Sequence, residues 1–114
     1  LLKLKLGDQQ DLDRVAAVRA AAPDVRIVVD ANEAWSMADL QARVQELKRL
    51  GVLIIEQPLP AGNDDALEDY ESPVPLCADE SCHTAADVEH VSRRSGSGLW
   101  WVAWEERPSL WPRR

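Results

Sequence analysis

Four residues with chemically useful side chains recur at a regular pace. Lys5, Asp30, Glu56 and Asp79 stand 25, 26 and 23 residues apart, and each closes an apolar run: "LKLK", "RIVVD", "VLIIE" and "VPLCAD". Three carboxylates gathered without a counter-charge repel one another, and their pKa values rise. A hard divalent cation resolves that conflict, since Mg²⁺ takes oxygen ligands from carboxylates, water and substrate. Asp30, Glu56 and Asp79 are therefore candidate Mg²⁺ ligands. Each acid taken alone reads equally well as a cap or turn residue; the repeated spacing is what favours a site. Lys3 and Lys5 alternate along one strand and so share a face. Alone they are ordinary edge lysines. Beside a metal or a second cation, a lysine loses basicity and can serve as a general base. A base with Mg²⁺ is the equipment for removing a proton α to a carboxylate, the metal neutralising the enediolate that forms.

Such residues converge only if the elements between them carry each strand end to the same place. "LLKLKLG" alternates apolar and charged residues as a strand does. From about Asp11 to Ala22, Leu12, Val15, Ala16 and Arg19 recur at helical spacing, and Pro23-Asp24 ends the run. "RIVVDA" (26–31) is a short strand. Ser36 with Asp39 resembles a capping box ahead of a helix whose buried stripe is Met37, Leu40, Val44 and Leu47; Gly51 stops it. "VLIIEQP" (52–58) is a strand ended by Pro58. A polar loop with a short helical piece leads to a fourth strand, "VPLCADE" (74–80). Thr84 then caps "AADVEHVSRR". Strands alternating with helices predict an α/β fold with a parallel sheet. Their apolar middles predict cover on both faces. In such folds the C-terminal strand ends gather the functional residues.

The bulk composition narrows the function classes. The 114 residues suffice for one modest domain with a core. A net charge of −7 argues against a nucleic-acid partner, which needs a basic face. The apolar runs are too short to span a membrane, and no signal peptide is evident. Cys77 and Cys82 are separated by "ADES", unlike a redox or zinc C-x-x-C, and are expected to stay reduced in a cytoplasmic setting. Only His83 and His90 could join them as zinc ligands.

At this point a resemblance becomes specific. "KLKLG", "VVDANEAW", "IIEQPLP" and "PLCADESCHT" resemble consecutive barrel strands of the muconate-lactonizing-enzyme subgroup of the enolase superfamily, most of all its L-Ala-D/L-Glu dipeptide epimerases. The likeness runs over about residues 1–94, in order and with fitting spacing. It implies consecutive βα units of a (β/α)₈-type, TIM-like barrel, here incomplete: residues 1–94 as a partial catalytic barrel of about four units, and 95–114 as an atypical tail. It implies Asp30, Glu56 and Asp79 as Mg²⁺ ligands, with the reverse assignment of Asp79 and Glu80 left open. Lys5 would be the acid/base on one face of the substrate α-carbon. Lys3 would lie near the substrate carboxylate and tune Lys5. Asn32, Gln57 and Glu80 would hold the ligands in place. The implied substrate is a small dipeptide or other carboxylate. Muconate cycloisomerase and o-succinylbenzoate synthase chemistry, with the same metal and lysines, is the alternative enzyme reading.

The chain also departs from that pattern. A full barrel of this type has about 250 residues, and the family's second catalytic lysine has no counterpart, since no lysine follows Lys48. The segment "SGSGLWWVAWEERPSLWPRR" carries four of the five tryptophans. Codons for "WVAWEE" read from the third base permit a Gly-Gly turn like the family's, so a shifted reading frame is one expectation. A genuine partner-binding tail on a catalytically dead α/β module is the other. A half barrel leaves strand edges unpaired, so a second copy or further segments are expected to complete it, and little epimerase activity is expected of the chain alone.

Overall fold

The apolar runs read from the sequence become five strands of one parallel sheet. The computed structural model describes residues 1–94 and 100–102. In order come β1 (Leu2–Lys5), α1 (Asp11–Ala21), β2 (Ile27–Asp30), α2 (Met37–Arg49), β3 (Val52–Glu56), a 3₁₀ helix (Ala61–Leu67), β4 (Leu76–Ala78), α3 (Ala85–Arg94) and β5 (Trp100–Val102). The strands lie side by side in chain order, every pair parallel. Each crossover passes through helical structure, as parallel strands require. β5 extends the sheet beyond the four strands read from the sequence, within the stretch set apart as a tail. The rest of that stretch, with the reading-frame and partner-binding expectations, lies outside the described residues. Among the described residues no helix is long and apolar enough to cross a membrane.

Alternation along the strands sorts the side chains onto two faces. Ile27, Val29, Ile55 and Leu76 point one way and are buried against Val15 of α1 and Leu40, Val44 and Leu47 of α2. Each such side chain contributes on the order of 1.5–3 kcal/mol by leaving water. The opposite face is covered less than the sequence suggested. Val28 and Ile54 are half-buried there, and Leu53, at an irregularity in the β2–β3 register, is 46% exposed. The helices pack their apolar stripes on one side only, and the other side carries Lys3, Lys5, Asp30 and Glu56.

Local chemistry sets the helix ends. Ser36 and Asp39 form a complete capping box: Ser36 Oγ accepts from the Asp39 N–H at 3.1 Å, and Asp39 Oδ2 accepts from the Ser36 N–H at 3.0 Å. Thr84 and Asp87 make the same reciprocal pair at α3. Gly51 takes φ +76, a conformation open to glycine, and turns the chain from α2 into β3. Arg19 secures the far end of the sheet from the strand termini that carry the acids. Its guanidinium donates to the carbonyls of Leu50 (2.8 Å), Pro23 (2.9 Å) and Val25 (2.6 Å).

Candidate active site

The sheet register brings the spaced residues of the sequence into one row. Lys5 pairs with Asp30, Asp30 with Glu56, and Glu56 with Cys77. Lys5, Asp30 and Glu56 are thus level at the C-terminal ends of three adjacent strands, with Asp79 one residue beyond the end of β4. Asp30 and Glu56 are buried, at 1% and 5% exposure. Lys5 Nζ donates to Asp30 Oδ2 at 2.7 Å and to Asn32 Oδ1 at 3.2 Å. Lys3 Nζ lies 2.8 Å from Glu56 Oε2 and 3.5 Å from Asp30 Oδ2. Two lysines and two buried carboxylates therefore form one connected group.

The electrostatics follow from that crowding. Burial pushes the Glu56 carboxyl up from its ordinary value; the contact with Lys3 works against this, and the negative charges of Asp30 and Asp79 add to it. Asp79 thus reaches Glu56 electrically across the β3–β4 boundary. The Glu80 carboxyl is also pushed up, first by burial and then by Asp79, Asp30 and Glu33. Lys5 departs from the expectation of a depressed amine. Its hydrogen bond to Asp30 raises it, and this outweighs both desolvation and the lowering by Lys3. The neighbouring cation acts in the expected direction, but a carboxylate at 2.7 Å dominates.

The residues expected to support the ligands occupy the loops behind them. Gln57 is fully buried with φ +39. Its Oε1 accepts from the backbone N–H groups of Asp79 (3.0 Å) and Ser81 (3.1 Å), and its Nε2 donates to Leu59 O and Ser81 Oγ at 2.8 Å. One side chain thereby ties the end of β3 to the loop that presents Asp79 and Glu80. Asn32 and Glu33 take φ +49 and +66, left-handed values unusual for residues with side chains. Glu33 Oε1 accepts from the Ala61 N–H at 2.8 Å and joins the loops after β2 and β3. The sequence reading did not single out Glu33, Asp11 or Trp35; an acid opening a helix and a tryptophan beside "DAN" look like ordinary cap and core residues. Cys77 and Cys82 are buried and not joined by a disulfide.

A metal has to be judged against these donors. Among the described residues no three His, Cys, Asp or Glu side chains are drawn close enough to form a ready-made metal cage. Lys3 and Lys5 supply the positive charge at Asp30 and Glu56. The donor chemistry nevertheless fits a hard cation. It is all oxygen, and Glu56 Oε1 and Glu80 Oε2 are buried without a hydrogen-bond partner. A buried carboxylate oxygen left unpaired is costly, and a cation would satisfy it.

A row of acids and lysines at the C-terminal edge of a parallel sheet with helical crossovers lies where α/β folds of the barrel and open-sheet kinds gather their functional groups. The chain belongs to the enolase C-terminal domain-like family, whose model matches residues 1–98. It is 50% identical over 94 residues to an N-acetyl-D-glutamate racemase of Pseudoalteromonas sp, a match covering 82% of this chain and 30% of that protein. It is 49% identical over 94 residues to the L-Ala-D/L-Glu epimerase of Escherichia coli (strain K12), covering 82% of this chain and 29% of the epimerase. The solved dipeptide epimerase from Cytophaga hutchinsonii, complexed with Mg and the dipeptide D-Ala-L-Val, superimposes with a TM-score of 0.76 at 27% identity, over 81% of this chain and 26% of that one. The chain thus spans about 30% of the length of the curated relatives it matches.

Proposed function

We propose that residues 1–94 are the metal- and base-bearing part of an isomerase that inverts the α-carbon of an N-acylated amino acid. The observation that carries this reading is the connected group of Lys3, Lys5, Asp30 and Glu56, with Glu56 Oε1 buried and unpartnered. Asp30, Glu56 and Asp79 would hold Mg²⁺, with Glu80, Asn32 and Gln57 keeping them in place. When bound, the cation would supply positive charge where the substrate carboxylate becomes electron-rich. Lys5 is the group that takes or returns the α-proton on one face. Asp30 and Asn32 aim its amine. Lys3 holds a second positive charge beside Glu56 and favours binding of an anionic substrate.

The two relatives near 50% identity carry names that share one chemical element, a glutamate bearing an acyl group on nitrogen: acetyl in one and alanyl in the other. The proposed substrate class is therefore an N-acyl glutamate, with an L-Ala-Glu dipeptide as its leading member. Inversion needs proton delivery to the opposite face, and no lysine follows Lys48. We therefore expect no epimerisation of L-Ala-L-Glu by the 114-residue chain alone. Measurable turnover by the purified chain would refute that expectation. The metal part is tested by thermal melting with and without MgCl₂: wild type gains stability, and Asp30→Asn and Glu56→Gln lose the gain. A melting temperature indifferent to Mg²⁺ in wild type would remove the reading.

A further inference from the structure

Asp11 is the most deeply buried acid of the described residues, at 0% exposure, and the mechanism above leaves it without a task. It opens α1 but does not cap it in the usual direction. A capping side chain accepts from N–H groups inside the helix. Asp11 Oδ1 instead accepts from the N–H groups of Gly7 (2.8 Å) and Asp8 (3.1 Å), which precede the helix. Its Oδ2 accepts from Trp35 Nε1 at 2.9 Å. One carboxylate therefore holds the loop after β1 and the loop after β2 at once.

Those two loops serve the same lysine. The first leaves β1 directly after Lys5. The second runs from Asp30 through Asn32 and Glu33, both at positive φ, to Trp35. A left-handed residue other than glycine persists only where its surroundings over-determine it. Trp35 is 2% exposed, its backbone N–H donates to Pro58 O at 3.0 Å, and the Arg43 guanidinium lies 5.2 Å from its ring centroid. It is a rigid anchor for the turn. The loops also run close together: a Cβ added at Gly7 would lie 3.4 Å from Ala34 Cβ. Asn32, carried on this turn, gives Lys5 Nζ its second hydrogen-bond acceptor.

We propose that Asp11 is a positioning residue that acts through Trp35 to hold the Asn32 turn against Lys5, fixing where the amine of the acid/base lysine points. Its catalytic meaning rests on the function proposed above; the placement of Lys5 does not. The two are separable, because the placement is measured without metal or substrate.

The experiment is NMR of the full chain labelled with ¹³C,¹⁵N-lysine, correlating Cε with Nζ. The chain has only three lysines, Lys3, Lys5 and Lys48, so each peak is assignable by substitution. Asp11→Asn keeps one oxygen for the Gly7 and Asp8 N–H groups, gives up the bond to the indole, and also loses the charge that faces Arg14 at 3.6 Å; Trp35→Phe leaves that ion pair in place. Trp35→Phe removes the indole donor and keeps an aromatic ring in the core. Asn32→Ala marks the direction in which the Lys5 peak moves when its second acceptor is lost. Both tie-breaking variants are expected to move the Lys5 peak in that direction, toward the peak of exposed Lys48, with the Lys48 peak unmoved. A Lys5 peak unmoved in Trp35→Phe, with the amide spectrum still that of the folded chain, overturns the proposal even if Asp11→Asn does not fold. If Lys5 follows Asp11 and Trp35 while wild type ignores Mg²⁺, the positioning stands and the functional reading falls.

Discussion

Replacing Glu56 by glutamine isolates the central electrostatic claim, because the two side chains have nearly the same shape. Glu56 is 5% exposed; one oxygen meets Lys3 at 2.8 Å, and the other is buried without a partner. The ion pair lost is half-open to water on the lysine side, and Lys3 stays 3.5 Å from Asp30. Such a pair contributes about 0–1 kcal/mol. The amide keeps one oxygen for Lys3 and removes a charge that burial already disfavours, which offsets that loss. Without metal, Glu56→Gln should therefore melt at the wild-type temperature or a few degrees above it. Mg²⁺ reverses the order. At a concentration about ten times its Kd, a ligand stabilises the folded state by about 1.4 kcal/mol. For a domain of this size that corresponds to a rise of roughly 5–10 °C. Wild type should show this rise and Glu56→Gln should not.

The same variant has a pH signature. The folded pKa of Glu56 is raised, so the folded chain binds this proton more tightly than the unfolded chain does. Without metal, its contribution to stability falls as pH climbs from the ordinary carboxylate value of 4.5 through the raised one. Glu56→Gln flattens that fall. Mg²⁺ competes with the proton, so the wild-type gain appears only above the raised value. Differential scanning calorimetry from about pH 4 to 8, with and without MgCl₂, measures both. Two results refute the reasoning. One is a Glu56→Gln variant that keeps the full Mg²⁺ shift. The other is a Glu56→Gln variant destabilised by more than about 3 kcal/mol without metal, which would mean that the carboxylate was already well satisfied.

Three further outcomes follow from the packing. Arg19→Ala should cost about 2–4 kcal/mol in urea unfolding, because three backbone carbonyls at the turns before β2 and β3 lose a charged donor; any Mg²⁺ response should survive, since Arg19 lies at the opposite sheet end. Ser36→Ala should cost about 0.5–2 kcal/mol, since the capping box at α2 loses its acceptor for the Asp39 N–H; hydrogen exchange in the first turn of α2 should quicken. Burial pushes the Cys77 thiol up to about 12, so Ellman's reagent at about pH 8 should react with it only after unfolding. With that pKa raised from 9.0, the unfolded chain ionises first, so the contribution of Cys77 to stability falls as pH rises beyond about 9.

The periodic signals were legible in the sequence because they are local. The 3–4 spacing of Leu40, Val44 and Leu47, the Ser36–Asp39 cap and the glycine stop at Gly51 each depend on residues within a turn or two, and α2 forms as they dictate. The 25- and 26-residue pace of Lys5, Asp30 and Glu56 was legible too, because one βα unit returns the chain to the same sheet edge, and the register sets these three side by side. Other features depended on distances that a linear pattern does not contain. Lys3 and Lys5 share a face by alternation, but only the structure divides them, one toward Glu56 and the other toward Asp30. The direction of the Lys5 shift differs from the expectation for the same reason: whether a neighbouring cation or a carboxylate dominates depends on separation, and Asp30 stands at 2.7 Å. Asp11 read as a helix opener, and its grip on Gly7, Asp8 and Trp35 arises only when two crossovers bring their loops together. The sequence by itself determined the elements from β1 to α3 and which chemical groups they deliver to the strand ends, because short-range sterics and burial patterns are written in spacing; β5, inside the stretch read as a tail, came only from its pairing with β4. The tertiary structure decided which groups touch and which pKa values move, because ion pairs and hydrogen bonds act over a few ångströms between residues some 25 positions apart.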